Sequence, residues 1–274
     1  MTIGSKKQKE MSILNDIADK TRERIEIEKE GTDISILLQQ IEELKGESRK
    51  SPAFSDVLKK NRFSVICEVK KAAPGEGMLT EKFHYLETAE EFEAGGAAAV
   101  SVLTEPFYFE GSDQYLWEIA GRVKIPVLRR DYVIDEYMLY QAKALGASAV
   151  NLIPSILDDS ELKSFMQLSE ELGMDVLTEV FSEEDVERAL KAEARIIGVN
   201  NRTPDTFEID KSTCIRLRKM IPDQIIYVAE SGIKTPEDIG TLRANNIHAA
   251  LIGEAVMKSD DRGGMLKAML REGD

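Results

Sequence analysis

The chain has 274 residues, 42% hydrophobic and 31% charged, with a formal net charge of −14. This is the make-up of a globular chain; no run of about 18 apolar residues offers a membrane span, and the acidic balance argues against nucleic acid as a partner. With two cysteines, Cys67 and Cys214, and two distant histidines, His84 and His248, it holds no disulfide framework or His/Cys metal set, and Ser–His or Cys–His catalysis is excluded in practice.

Met1–Glu10 is polar, lacks the apolar middle of a signal peptide and reads as a solvated, disordered extension, which leaves the cytoplasm as default location. Residues 11–60 then read as helices: Met11 to about Glu30, a second after Thr32-Asp33, and a short one over Phe54–Lys60. From residue 61 the rhythm changes. Short apolar, β-branched runs recur at Ser64–Val69, Ala98–Leu103, Pro126–Leu128, Ala149–Ile153, Asp175–Thr178, Ile196–Val199, Ile225–Ala229 and His248–Ile252. Helical stretches fill gaps at Thr88–Ala94, Glu136–Leu145, Glu161–Leu172, Glu183–Lys191 and Pro236–Arg243, several of them stopped by glycine. Fully apolar strands alternating with helices imply a parallel sheet covered on both faces. Eight such units predict a (β/α)8 TIM barrel with an N-terminal helical extension, one domain over 11–274. The alternative is an open doubly wound sheet, but no GxGxxG stands at its first turn.

In such a barrel the site lies at the C-terminal ends of the strands. Those ends carry Glu68 and Lys70, Thr104-Glu105, Arg129-Arg130-Asp131-Tyr132, Asn151, Glu179, Asn200-Asn201-Arg202, Glu230-Ser231-Gly232 and Gly253-Glu254. One charged residue after a strand is ordinary solvation; this many predict a single polar mouth where carboxylates and cations shift one another's pKa values. The glycine-containing turns after the last two strands suit a phosphate held by backbone N–H groups, with Lys70 next around the ring, or are simply tight turns. The loop 106–112 and Tyr132 offer aromatic rings that either form a slot for a planar ligand or pack the loop onto the barrel.

The stretches EVKKA-x-P-x-x-G, VLTE-x-x-YFEGS, PVLR-x-D-x-x-ID-x-Y, IIGVNNR…TFEID, ESGI and LIGEA-x-M, in this order, resemble the indole-3-glycerol phosphate synthase family from Met11 to Leu270. The resemblance implies conversion of 1-(2-carboxyphenylamino)-1-deoxyribulose 5-phosphate by ring closure, decarboxylation and dehydration, with no cofactor or metal and a phosphorylated small molecule as the only partner of a monomer. It implies catalytic roles for Glu68, Lys70, Arg130, Glu179 and Asn200. Arg202, Glu230, Phe109 and Tyr132 would hold the substrate, and Lys70, Ser231, Gly232, Gly253 and Glu254 the phosphate end.

The chain departs from the family pattern at the same mouth. Arg130 stands where the family's general-acid lysine is expected, and a guanidinium stays protonated and is a poor proton donor. Ala73 and Gly75 lack expected hydroxyls, Asn151 replaces an apolar residue, Phe181 a histidine, and Thr203-Pro204 the usual NL or DL. An active synthase with another proton source, a slow one relying on electrostatic stabilisation, and an impaired or diverged paralogue that still binds a phosphate ester all fit. So do a barrel that only binds and another phosphosugar enzyme. Arg130→Lys with Ala73→Ser is the change expected to raise turnover.

Overall fold

The computed structural model describes residues 13–46, 51–60, 63–80 and 82–271. The extension read over Met1–Glu10 and the first residues of the helical segment lie outside the described residues. Each apolar run is a strand: β1 (Ser64–Val69), β2 (Ala99–Leu103), β3 (Val127–Arg130), β4 (Ala149–Leu152), β5 (Asp175–Val180), β6 (Ile196–Asn200), β7 (Ile226–Glu230) and β8 (Ala249–Ile252). All neighbours pair in parallel, and β1 pairs with both β2 and β8, so the sheet closes into a barrel. A two-residue hairpin, Ala72–Ala73 against Gly77–Met78, follows β1.

The helices are α1 (Ile13–Gly31), α2 (Ile34–Gly46), α3 (Phe54–Lys60), α4 (Tyr85–Gly95), α5 (Asp113–Arg122), α6 (Glu136–Ala144), α7 (Asp159–Glu171), α8 (Glu183–Lys191), α9 (Ser212–Leu217), α10 (Pro236–Ala244), α11 (Glu254–Met257) and α12 (Arg262–Arg271). Local chemistry sets several starts. Asp158 and Glu161 form a capping box on α7, and Thr235 and Asp238 form another on α10, with Pro236 in its first turn. The sequence reading lacks α5, α9, α11 and α12. Ser112 caps α5, but only Leu116 and Ile119 face inward and Trp117 points out at 60% exposure, so its apolar stripe is thin and interrupted.

The core has two shells. Outward-facing strand residues pack against the helices in one cluster, and inward-facing ones such as Ile66, Leu128, Leu177 and Val228 fill the barrel. Phe54 and Leu58 of α3, both fully buried, belong to the inner cluster, so α3 plugs one end of the barrel. The Ser64 hydroxyl donates to the Val57 carbonyl at the start of β1, which places that plug at the N-terminal end of the strands. The opposite end carries the polar residues.

Candidate active site

Alternation along the strands builds the polar layer from the apolar one. Two residues beyond inward-facing Ile66, Ala99, Leu128, Ala149, Leu177 and Val228 stand Glu68, Ser101, Arg130, Asn151, Glu179 and Glu230. Period two therefore carries each strand from oily interior to reactive mouth in one pleat. On β6 the corresponding step is Gly198 to Asn200. A Cβ at Gly198 would stand 2.1 Å from Glu230 Oε1, so glycine is what lets that carboxyl lie across β6.

Arg130 is the hub. Its Nε lies 3.3 Å from Glu68 Oε1, and Nη2 lies 2.8 Å from Glu179 Oε1 and 2.6 Å from Glu230 Oε2. Its remaining nitrogen, Nη1, is buried with no hydrogen-bond partner. Burial works against the guanidinium charge, but the three carboxylates outweigh it, and Arg130 holds its proton more tightly than a free arginine.

The three glutamates differ in what they receive. Glu179 accepts from Arg130, from Asn200 Nδ2 at 2.7 Å and from Asn151 Nδ2 at 2.8 Å. Glu68 accepts from Lys70 Nζ at 2.6 Å and from the Ser101 hydroxyl; burial pushes its carboxyl up, yet Lys70 and Arg130 bring it below the ordinary value. Glu230 has only the Arg130 guanidinium, Nη2 at 2.6 Å from Oε2 and poorly aligned for a hydrogen bond, and no other donor on either oxygen. Burial, with Glu179 and Glu68 adding to it and Arg130 opposing, pushes Glu230 up to about 8.

Every residue given a site role from the sequence borders one cavity of about 130 Å³. At its β7–β8 side Ser231 and Gly232 take successive left-handed conformations, φ 65° and 81°, and Asn201 Nδ2 donates to the Ser231 carbonyl. A Cβ on Gly253 would come within 2.7 Å of Glu68 Oε2, so glycine is required for the β1 carboxylate to pass. The Glu254 carboxylate, assigned to the phosphate end, instead sits among cations: Lys258 at 2.9 Å, Lys234 at 3.5 Å and Arg202 at 3.6 Å. An anion there opposes a phosphate, so only the backbone of Glu254 suits that role. Arg202 itself pairs with Glu76 at 2.7 Å, as does Lys258 at 3.0 Å. Burial, the largest single influence on Glu76, pushes its carboxyl up, but the Arg202 and Lys258 bonds together outweigh it and hold it down at about 2.

Glu76 sits between Gly75 and Gly77, both at positive φ, at the hairpin tip. Gly75 thus serves the turn rather than marking only a lost hydroxyl. Lys71 pairs with Glu110 at 2.6 Å across to the loop after β2.

The aromatic rings divide between the cavity and the loop. Phe109 and Tyr132 lie 6.2 Å apart between centroids at a 32° tilt, already an aromatic pair that forms one wall. The Tyr108 hydroxyl bonds Asp16 of α1, and Lys20 donates to it at 3.0 Å. Phe107 is exposed. Opposite the polar floor, Leu14 and Ile17 of α1 border the cavity. Arg24 fastens α1 down by a bidentate bond to buried Asp131, at 3.1 and 3.0 Å, and Ile13 N donates to Asp205 Oδ1.

The supporting residues stood at strand ends in the sequence reading but were given no role there. Fully buried Arg129 bonds Thr104, Asp113, Asp131 and the Met138 carbonyl. Glu105 accepts from the backbone N–H of Phe107, Tyr108 and Phe109 and so shapes the loop after β2. Asn151, read as a strand end at the mouth and as a departure from the family pattern, orients Glu179. A run of charged residues straddling a strand end gives the signal for Arg129 and Asp131; nothing local signals their partner on α1.

The family model described as indole-3-glycerol phosphate synthase matches residues 14–269. An indole-3-glycerol phosphate synthase of Ruminiclostridium cellulolyticum is 44% identical over 255 residues, covering 93% of this chain and 97% of its own length. One from Endomicrobium trichonymphae is 45% identical, covering 91% and 95%. Among solved structures, KGPDC from Streptococcus mutans superposes with a TM-score of 0.61 at 9% identity, covering 77% of this chain and 97% of that one. The 3-hexulose-6-phosphate synthase of Salmonella typhimurium gives 0.60 at 13%, covering 77% and 98%. At such identities these two show the barrel fold alone. The match across nearly the whole chain, and relatives well above 40% identical, place the chain in the indole-3-glycerol phosphate synthase family.

Proposed function

We propose that the chain converts 1-(2-carboxyphenylamino)-1-deoxyribulose 5-phosphate to indole-3-glycerol phosphate, with the Arg130 cluster as its reaction centre. The observation that carries this is the convergence of Glu68, Arg130, Glu179 and Asn200 on one cavity roofed by α1. Arg130, with a buried N–H unclaimed by the protein, suits the ketone oxygen as negative charge develops there. Glu179, aligned by Arg130, Asn151 and Asn200, moves the proton lost in dehydration. Lys70 binds anionic substrate groups beside Glu68. The Phe109–Tyr132 wall and the apolar face of α1 take the aryl ring, and the backbone of Ser231, Gly232, Gly253 and Glu254 faces the phosphate end. No cofactor takes part. The acting species is a monomer in the cytoplasm; sedimentation giving a mass of two chains would overturn the first half of that reading.

The test is direct. Purified protein is mixed with the synthetic substrate and indole fluorescence is followed. Product is expected; none at high protein concentration sinks the assignment.

A further inference from the structure

We propose that Glu230 supplies the proton for ring closure, the part a lysine at position 130 would otherwise play. The inference rests on the synthase reading above. It starts from a count: Arg130 and Lys70 face three buried carboxyl groups, Glu68, Glu179 and Glu230. Three carboxylates against two cations leave one buried negative charge unmatched, and a buried unmatched carboxyl keeps its proton instead. The hydrogen bonds identify which one. Glu179 receives three N–H donors, and Glu68 receives Lys70 and Ser101, all of which favour the anion. Glu230 has the fewest: its one polar contact is the Arg130 guanidinium that it shares with the other two, and no second donor reaches either oxygen.

The charged groups around Glu230 are Arg130 from β3, Glu179 from β5 and Glu68 from β1; Asn200 on the neighbouring β6 is neutral. Two anions and one cation, together with full burial, keep the acid form present at neutral pH, consistent with a carboxyl pushed up to about 8. Glu230 Oε2 lies 2.6 Å from the Arg130 guanidinium, whose Nη1 is unclaimed. A ketone oxygen accepting from that guanidinium therefore comes to rest beside a proton donor. Arginine supplies the charge and Glu230 supplies the proton, two tasks that one lysine ammonium would combine.

The step balances. The aryl carbon that bears the carboxylate bonds to the ketone carbon, and the C=O π pair moves to oxygen. That oxygen takes the Glu230 proton and becomes a hydroxyl, leaving Glu230 as carboxylate. Carbon dioxide departs and its bonding pair returns to the ring. The hydroxyl then leaves as water with one proton taken up, while one proton is lost from the adjacent carbon. Because a carboxylate leaves as neutral CO2, the reaction consumes one proton overall, and solvent restores it to Glu230.

Two readouts test this. Infrared titration of ligand-free protein is expected to show a protonated carboxyl C=O band near neutral pH that fades as pH rises and is missing from Glu230→Gln. In turnover, kcat is expected to fall as pH rises through the Glu230 titration, and Glu230→Gln to lose about a hundredfold in kcat with KM little changed. The double variant Arg130→Lys/Glu230→Gln is expected to regain most of that loss, since the ammonium carries its own proton; it also shows that Gln at 230 permits folding. A wild type with no such band, or a Glu230→Gln enzyme retaining kcat within about threefold of a flat wild-type profile, well short of a general acid's usual contribution, overturns the inference. A wild type that shows the band but makes no indole sinks the synthase reading itself, and the ring-closure role falls with it.

Discussion

Arg130 holds three carboxyl groups with one planar, permanently charged group, and no single substitution reproduces all of its contacts. Arg130→Lys brings back a group that can both attract and release a proton. It is expected to raise kcat above wild type while lowering the melting temperature, because an ammonium cannot span Glu68, Glu179 and Glu230 together. Steady-state rates and a thermal melt check both halves; a kcat below wild type in a folded variant would show that the guanidinium is an asset. Glu179 is the carboxylate most firmly aimed, so Glu179→Gln is expected to cost more activity than any other single glutamate change, about a thousandfold or more in kcat. Activity comparable to Glu68→Gln would remove its special status. The mouth itself was legible because strand period two puts every second residue inward, and Glu68, Arg130, Glu179 and Glu230 fall on that beat. Which carboxyl is neutral was not legible. It depends on donors from β3, β4 and β6 meeting only in the closed ring.

At the scale of elements, the N-terminal helix is a wall of the site as well as a preface to the barrel. Its hold on β3 runs through Arg24, which bonds an Asp131 that is itself buried. Burial raises that carboxyl, but Arg24, Arg129 and the Thr104 hydroxyl bring it below its ordinary value. Arg24→Ala removes one of the two guanidinium partners and is expected to cost about 1.5–3 kcal/mol in a denaturant titration. KM should rise with it, since Leu14 and Ile17 border the cavity from the same helix. An unchanged KM alongside the lost stability would separate the roof from substrate binding. The strands and most of the helices were readable from periodicity and stop signals alone. The tie between Arg24 and Asp131 was not, for it joins residues 107 positions apart with no shared motif. Helix α5 escaped for a different reason: a single exposed tryptophan breaks its apolar stripe.

For the whole molecule, the pKa shifts set opposing slopes of stability with pH. Glu76 is held down at about 2 from an ordinary 4.5, so its contribution is present above 4.5 and is lost as pH falls through that interval. Asp131 and Glu68, also lowered, add to the acid loss. Glu230 runs the other way: its folded-state value lies above 4.5, so its contribution is full below 4.5 and is lost as pH rises through about 8. Calorimetry across pH is expected to show melting temperature falling as pH drops below 4.5 and falling again as pH rises from 4.5 towards 8, and Glu230→Gln to flatten the second fall alone. An unchanged slope between pH 4.5 and 8 in that variant would place the titrating group elsewhere. One further consequence concerns the order in which the chain is made. A ribosome releases α1 first, yet the partners that seat it, Asp131 after β3 and Asp205 after β6, emerge more than a hundred residues later. The roof must wait, unpaired, for walls not yet built, and the cavity comes into being only when most of the barrel has been synthesised.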